Sequence, residues 1–106
     1  ADVYRTLDKC RDFGFRDQIT RSALSIPSNI AEGMERSSAA DRSKFLEYAR
    51  GSCGEFRTQA TVGVEAGFIR EDVASHWLGE SRQLSAMIQG LIRSLKSAST
   101  KVPSAH

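Results

Sequence analysis

"RSALSIPSNIAEG", residues 21–33, places a proline in the middle of a pattern that is typical of an amphipathic helix. At about 100° per residue, the apolar side chains around Pro27 fall on one arc of the helical wheel. That arc consists of Phe15, Ile19, Ala23, Ile26, Ile30 and Met34. Because the apolar phase continues across Pro27 without a jump, the pattern predicts one helix over roughly residues 15–35, kinked at the proline. The alternative is a break, with Ser25 as the N-cap of a new helix and Pro27 in its first turn.

The same helix carries a polar stripe beside the apolar one. Its members recur at spacings of three and four residues: Gln18, Ser22, Ser25, Asn29 and Glu32. One interpretation is a solvated flank. The other is a second packing seam, toward another helix or another subunit, and the absence of lysine favours it, because solvated helix faces usually recruit Lys or Glu. We therefore expect a structural and assembly motif made of Ser25, Pro27, Asn29, Glu32 and Gly33.

Two further long helices are predicted downstream. Ser38, three residues before Asp41, is typical of a helix start. One face of the helix that follows alternates large and small residues: Phe45, Ala49, Ser52, Phe56, Ala60 and Gly63. After Gly67, the carboxylates Glu71 and Asp72 indicate another start. The helix beyond them carries a narrow apolar stripe: Trp77, Ser81, Leu84, Ile88, Leu91 and Leu95.

The remaining segments complete the predicted architecture. Val3, Leu7 and Cys10 have helical spacing, and we expect them to be the end of a first helix that is truncated. "RDFGFRD", residues 11–17, is predicted to be a short connection containing Gly14. The fold prediction is an all-α, antiparallel up-down four-helix bundle with a proline-kinked second helix. It forms one domain over residues 1–98, followed by a flexible tail over residues 99–106.

Composition supports a single domain and gives limited information about partners. The chain has 106 residues, 40% of them hydrophobic and 26% charged, with a formal net charge of +2. After Glu80 the only charged residues are cations: Arg82, Arg93, Lys96 and Lys101. One interpretation is that these cations stabilise the C-terminal end of a helix and a solvated tail. The other is that they form a basic surface that binds nucleic acid. Cys10 and Cys53 lie in helical patterns and no apolar targeting segment is visible, so we expect a cytoplasmic protein without a disulfide.

The sequence contains few residue patterns that are typical of catalytic or ligand-binding sites. The sequence contains two histidines, and no metal-ligand spacing, nucleophile elbow or phosphate-binding glycine loop is visible, so we expect no metal, no cofactor and no enzymatic activity. A carboxylate pair in the bundle core is the enzymatic alternative, but the Glu-x-x-His pairs of di-iron bundles are missing. Arg50 and Arg57 share a helix face and, with Arg93 and Lys96, form a candidate surface for RNA or DNA. Ion pairs with interleaved glutamates account for part of that pattern.

Four segments together resemble a bacterial family of four-helix-bundle proteins, the ribosomal-RNA intervening-sequence proteins. They are "DQITRSALSIPSNIAEG", "FLEYARGSCGEF", "EAGFI" and "GLIRSLK", and the resemblance extends from about Leu7 to Lys96. Its most specific part is "SIPSNIAEG", from Ser25 to Gly33. The family in turn resembles the accessory variability determinant proteins of diversity-generating retroelements, which bind nucleic acid and a reverse transcriptase through basic surfaces.

The resemblance implies an antiparallel four-helix bundle that assembles into a ring-like homopentamer without a defined biochemical activity. Two functions are therefore open at this point. One is an oligomeric protein that binds nucleic acid through a basic surface. The other is a scaffold or assembly module whose partner is a protein and whose charges serve solubility.

Overall fold

The computed structural model describes residues 2–100 and confirms the all-helical fold class. That range contains four helices and no strand: α1 (Val3–Thr6), α2 (Phe13–Met34), α3 (Ala39–Glu65) and α4 (Glu71–Thr100). Successive helices are joined by short connections and form a bundle in which α3 is central. Within the described range, α2 and α4 each pack against α3, and their Cα atoms do not come within 8 Å of each other. Helix α4 continues to Thr100, two residues past the predicted domain end at residue 98, and the rest of the predicted tail, residues 101–106, lies outside the described residues.

Helix α2 is continuous through Pro27, so the single-helix prediction is confirmed and the break at Ser25 is wrong. Pro27 has no N–H to donate to the carbonyl of Ala23, which is the local cost of placing a proline there. The helix begins two residues earlier than predicted, because Oδ1 of Asp12 accepts a hydrogen bond from the backbone N–H of Phe15 at 3.0 Å. This N-cap draws Gly14 into the first helical turn, where a connection was expected.

Helix α1 is a single turn that ends at Thr6, and Cys10 lies beyond it, contrary to the helical prediction for that residue. Val3 and Leu7 are almost completely buried and attach this turn to the bundle. Cys10 and Cys53 are both free thiols; Cys53 is buried in the core.

The start of α3 is as predicted: Oγ of Ser38 accepts from the backbone N–H of Asp41 at 3.1 Å. Most of the predicted large-and-small stripe of α3 is buried, as are Leu46 and Cys53 beside it. Helix α3 ends at Glu65, and Gly67, two residues further on, has a φ of 80°, the left-handed conformation that glycine adopts without strain. Phe56 of α3 then packs against Trp77 of α4, with ring centroids 5.8 Å apart.

The buried stripe of α4 differs from the predicted one at one position. Leu91 is 47% exposed, whereas Ile92, which was not predicted, is 1% exposed. Met34, the last member of the α2 stripe, is likewise 68% exposed. The reason is geometric: α4 packs against α3 on one side only, so the buried centre of its stripe rotates toward Ile88 and Ile92.

The space between α2 and α4 is an apolar groove of about 690 Å³ whose floor includes Phe56 of α3. Val3 and Tyr4 of α1 line one end of it. Pro27 and Ile30 line its α2 wall, and Leu84 and Met87 belong to its α4 wall.

Candidate nucleic-acid interface

The predicted basic residues of α3 lie in a cleft along the outer seam between α3 and α4. The cleft has a volume of about 530 Å³ and is lined by Glu47, Arg50, Gly51, Arg57, Ser85, Ala86 and Gln89. Arg50 and Arg57 are seven residues apart, which is close to two helical turns, so both side chains leave α3 on the same face. The antiparallel course of the helices brings Gln89 of α4 beside Arg50 and Ser85 beside Arg57.

Arg57 is held across the seam by neutral acceptors. Its Nη1 donates to Oγ of Ser85 at 2.9 Å, to Oγ of Ser81 at 3.1 Å and to the carbonyl oxygen of Ser81 at 3.4 Å. The hydroxyl of Ser81 is itself fixed, because it donates to the carbonyl oxygen of Cys53 at 3.3 Å. Among the described side chains, no carboxylate forms an ion pair with Arg57, so its charge is positioned but not neutralised.

Arg50 is in a different electrostatic situation. Its Nη2 lies 2.7 Å from Oε1 of Glu47 in an ion pair on the same helix, and its Nη1 donates to Oε1 of Gln89 at 2.7 Å. Both partners of the ion pair are about half exposed, so the pair contributes little to stability. Its main effect is to neutralise part of the positive charge at that end of the cleft.

Arg93 and Lys96 extend the basic surface along α4. Both are exposed, and they follow Gln89 at spacings of four and three residues, which places them on the same helix face. Arg82 precedes Ser85 by three residues and shares that face, although it was not among the predicted site residues. The signal that would have found Arg82 and Ser85 is this recurrence at three and four residues, read from Arg82 to Lys96.

The predicted structural motif on α2 divides among three environments. Oγ of Ser25 shares a hydrogen bond of 2.7 Å with Oγ of Ser52 on α3, and Nδ2 of Asn29 donates to the Ser25 hydroxyl and carbonyl oxygens, both at 2.9 Å. Gly33 is buried against α3, where a Cβ would lie 3.2 Å from Cβ of Phe45.

The other two members of the motif lie away from α3. Pro27 is exposed and lines the groove. Glu32 is exposed and pairs with Arg36 on its own helix, at 2.6 Å. The five motif residues therefore do not form one site.

The described part of the chain offers neither a metal site nor a membrane-spanning helix. No group of three or more His, Cys, Asp or Glu side chains there is arranged to hold a metal ion. No helix in that part combines the length and apolar character needed to cross a membrane.

Comparisons with known proteins agree with the helical architecture. A family model described as 23S rRNA-intervening sequence protein matches residues 1–90. Among solved structures, the chain is similar to a protein of unknown function from the S23 ribosomal protein family of Bacteroides thetaiotaomicron. The TM-score is 0.81 at 23% sequence identity, over 86% of this chain and 85% of that chain. At that identity the likeness shows the fold alone. A search among curated proteins finds no match.

Proposed function

Because the chain belongs to the family of 23S rRNA-intervening sequence proteins, we propose that it is a non-enzymatic helical-bundle protein that binds nucleic acid. The proposed contact surface is the α3–α4 seam, and its ligands are the phosphates of RNA or DNA. The residues that carry it are Arg50, Arg57, Arg93 and Lys96. The resemblance to retroelement accessory proteins points in the same direction and stays a prediction.

The observation that carries this proposal is the unneutralised guanidinium of Arg57, fixed in a cleft on a seam that also carries free cations. A phosphate backbone is bound mainly through such cations, with release of condensed counterions. Among the described residues, the seam displays no aromatic row on which bases could stack, so the contacts are expected to be with the backbone and to depend little on sequence.

Fluorescence anisotropy with a structured RNA and a DNA duplex, from low to moderate salt, tests the proposal. If the four cations contact phosphates, the logarithm of the affinity for duplex DNA should fall with the logarithm of salt concentration with a slope of about −3.6. A variant with glutamine at all four positions should lose this binding. A matched control removes the same charge elsewhere, by glutamine at Arg5, Arg11, Arg21 and Arg70. Absence of binding at low salt, or equal loss in the control, would overturn the proposal.

We further propose that the chain assembles with copies of itself, as a homopentamer, in the cytoplasm. Support for assembly comes from large apolar side chains that stay exposed on α2 and α4: Leu24, Met34, Met87 and Leu91. Large exposed apolar patches are typical of interaction surfaces. Support for the cytoplasm comes from the two free cysteines.

Light scattering at micromolar concentration should show a species near five times the chain mass of 11.7 kDa. A monomer at that concentration would contradict assembly. The same apolar surface favours the second candidate function, a protein scaffold without nucleic-acid binding. Capture of a protein partner that persists after nuclease treatment, together with no anisotropy change, would favour that candidate.

A further inference from the structure

We propose that the cleft between α3 and α4 is a discrete phosphate-binding site with Arg57 as its anchor, and that this one contact fixes the position of the nucleic acid on the protein. The inference rests on the proposed function and deepens it. The alternative is a diffuse basic surface without a specific phosphate site. On such a surface, Arg57 would contribute no more to the affinity for nucleic acid than Arg93 does.

Hydrogen-bond donors remain free at the Arg57 end of the cleft. A guanidinium only donates, so the oxygens that receive Arg50 and Arg57 are occupied as acceptors: Oε1 of Gln89, Oε1 of Glu47 and Oγ of Ser85. The Ser85 hydroxyl keeps its proton and the Gln89 amide keeps its N–H₂ group, so these two residues still offer donors, whereas the Glu47 carboxylate offers none. At the Arg57 and Ser85 end of the cleft, the remaining donors suit an oxyanion.

The side chain of Arg57 is preorganised for binding. Its Nη1 is fixed by Ser81 and Ser85, whereas no hydrogen bond within the described structure engages its Nη2 or Nε. Burial of a guanidinium costs desolvation free energy, which is incompletely compensated when no carboxylate pairs with it. An anion that binds the free donors of Arg57 would offset that cost. Little side-chain entropy is lost on binding, since the side chain is already held in place.

Two glycines of α3 leave Arg57 accessible to a ligand from outside the bundle. A Cβ built on Gly51 would meet nothing within 4 Å, and a Cβ on Gly54 would meet only Nη2 of Arg57, at 3.9 Å. Helix α3 therefore leaves the outer side of the cleft open, and a bulky phosphodiester backbone can reach Arg57. The Glu47 carboxylate repels an anion from the Arg50 end, which places the phosphate at the Arg57 and Ser85 end.

The decisive test keeps the charge and changes the geometry. Arg57→Lys retains one positive charge but cannot form the forked contact, while Arg93→Lys is the matched control on the open surface. Anisotropy at fixed salt with the same RNA and duplex DNA should show about a tenfold loss of affinity for Arg57→Lys. Arg93→Lys should stay within about twofold, and the salt dependence of both variants should match that of the parent protein, since each keeps its charge.

A second pair of variants guards against a purely structural role for Arg57 as a clamp between helices. Gly51→Leu fills the cleft without changing charge or the bonds of Arg57, and Gly79→Leu makes the same change on an exposed, open position of α4. Blocked binding in Gly51→Leu but not in Gly79→Leu supports the site. If Arg57→Lys and Arg93→Lys bind alike, or if Gly51→Leu binds like the parent, the site is refuted while the proposed function stands. If the parent protein binds neither RNA nor DNA, both are refuted.

Discussion

Gly63→Ala should destabilise the bundle, although alanine is the better helix former. Gly63 lies inside α3, near the connection to α4. A Cβ there would lie 2.5 Å from Cδ1 and 2.9 Å from Cγ1 of Ile69, and 2.7 Å from Cζ of Phe15. Ile69 has little freedom to withdraw, because its backbone N–H and that of Phe68 both donate to the carbonyl oxygen of Gly63, at 3.2 and 2.8 Å. Phe15 is held from the other side by its ring contact with Phe68.

The expected magnitude follows from two opposing effects. Overpacking of a filled core costs about 1–3 kcal/mol, and three close contacts place Gly63→Ala at the upper end of that range. Replacing glycine by alanine inside a helix gains about 1 kcal/mol. The net loss is therefore about 2 kcal/mol. Gly79→Ala is the matched control, because its Cβ would enter open space on α4 and should stabilise the protein by about 1 kcal/mol.

Urea unfolding followed by circular dichroism, at one protein concentration, measures both variants. The free energy of unfolding is expected to fall by about 1.5 kcal/mol per molar urea. Because the two variants should differ by about 3 kcal/mol, their unfolding midpoints should differ by about 2 M urea. A Gly63→Ala protein that is as stable as the parent, or more stable as Gly79→Ala should be, would refute the close packing around Gly63.

Two further substitutions test local contacts. Ser38→Ala should lower the free energy of unfolding by about 1 kcal/mol, because it removes the acceptor for the Asp41 N–H at the start of α3. Ser37→Ala is its control, and equal effects in urea would contradict the cap. A double-mutant cycle with Ser25→Ala and Ser52→Ala should show a coupling energy of about 1 kcal/mol from the hydrogen bond between the two hydroxyls. Additive effects would mean that the two hydroxyls do not interact in solution.

The helices that the sequence predicts correctly are those whose local signals agree with their packing. The apolar phase runs unchanged from Ile19 to Ile30, and that continuity outweighs the local signal of Pro27. At the start of α3, the Ser38 cap and the buried stripe that follows indicate the same helix. Where a cap and a glycine disagreed, as at Asp12 and Gly14, the prediction gave too much weight to the glycine.

The errors on α2 and α4 have one tertiary cause. A helical wheel shows which residues form an apolar arc, but it does not show how many neighbours cover that arc. In this bundle α3 covers one side of α2 and one side of α4, and no described residue covers Met34 on α2 or Leu91 on α4, so both stay exposed. The hydrogen bonds of Arg57 were beyond prediction for a similar reason, since they depend on the register between two helices.

The surfaces proposed for nucleic-acid binding and for self-assembly lie on opposite flanks of the buried stripe of α4. The buried stripe of α4, centred on Ile88, has the apolar groove with Met87 on one flank and the cleft with Ser85 and Gln89 on the other. A partner that covers the groove would therefore leave the α3–α4 seam facing outward. If copies of the chain assemble through their apolar surface, each copy still presents its own Arg57, and several sites on one particle bind a single nucleic acid more tightly than one site does. Weak affinity of an isolated seam is thus compatible with nucleic-acid binding by the assembly, and the two properties have to be measured on the same sample.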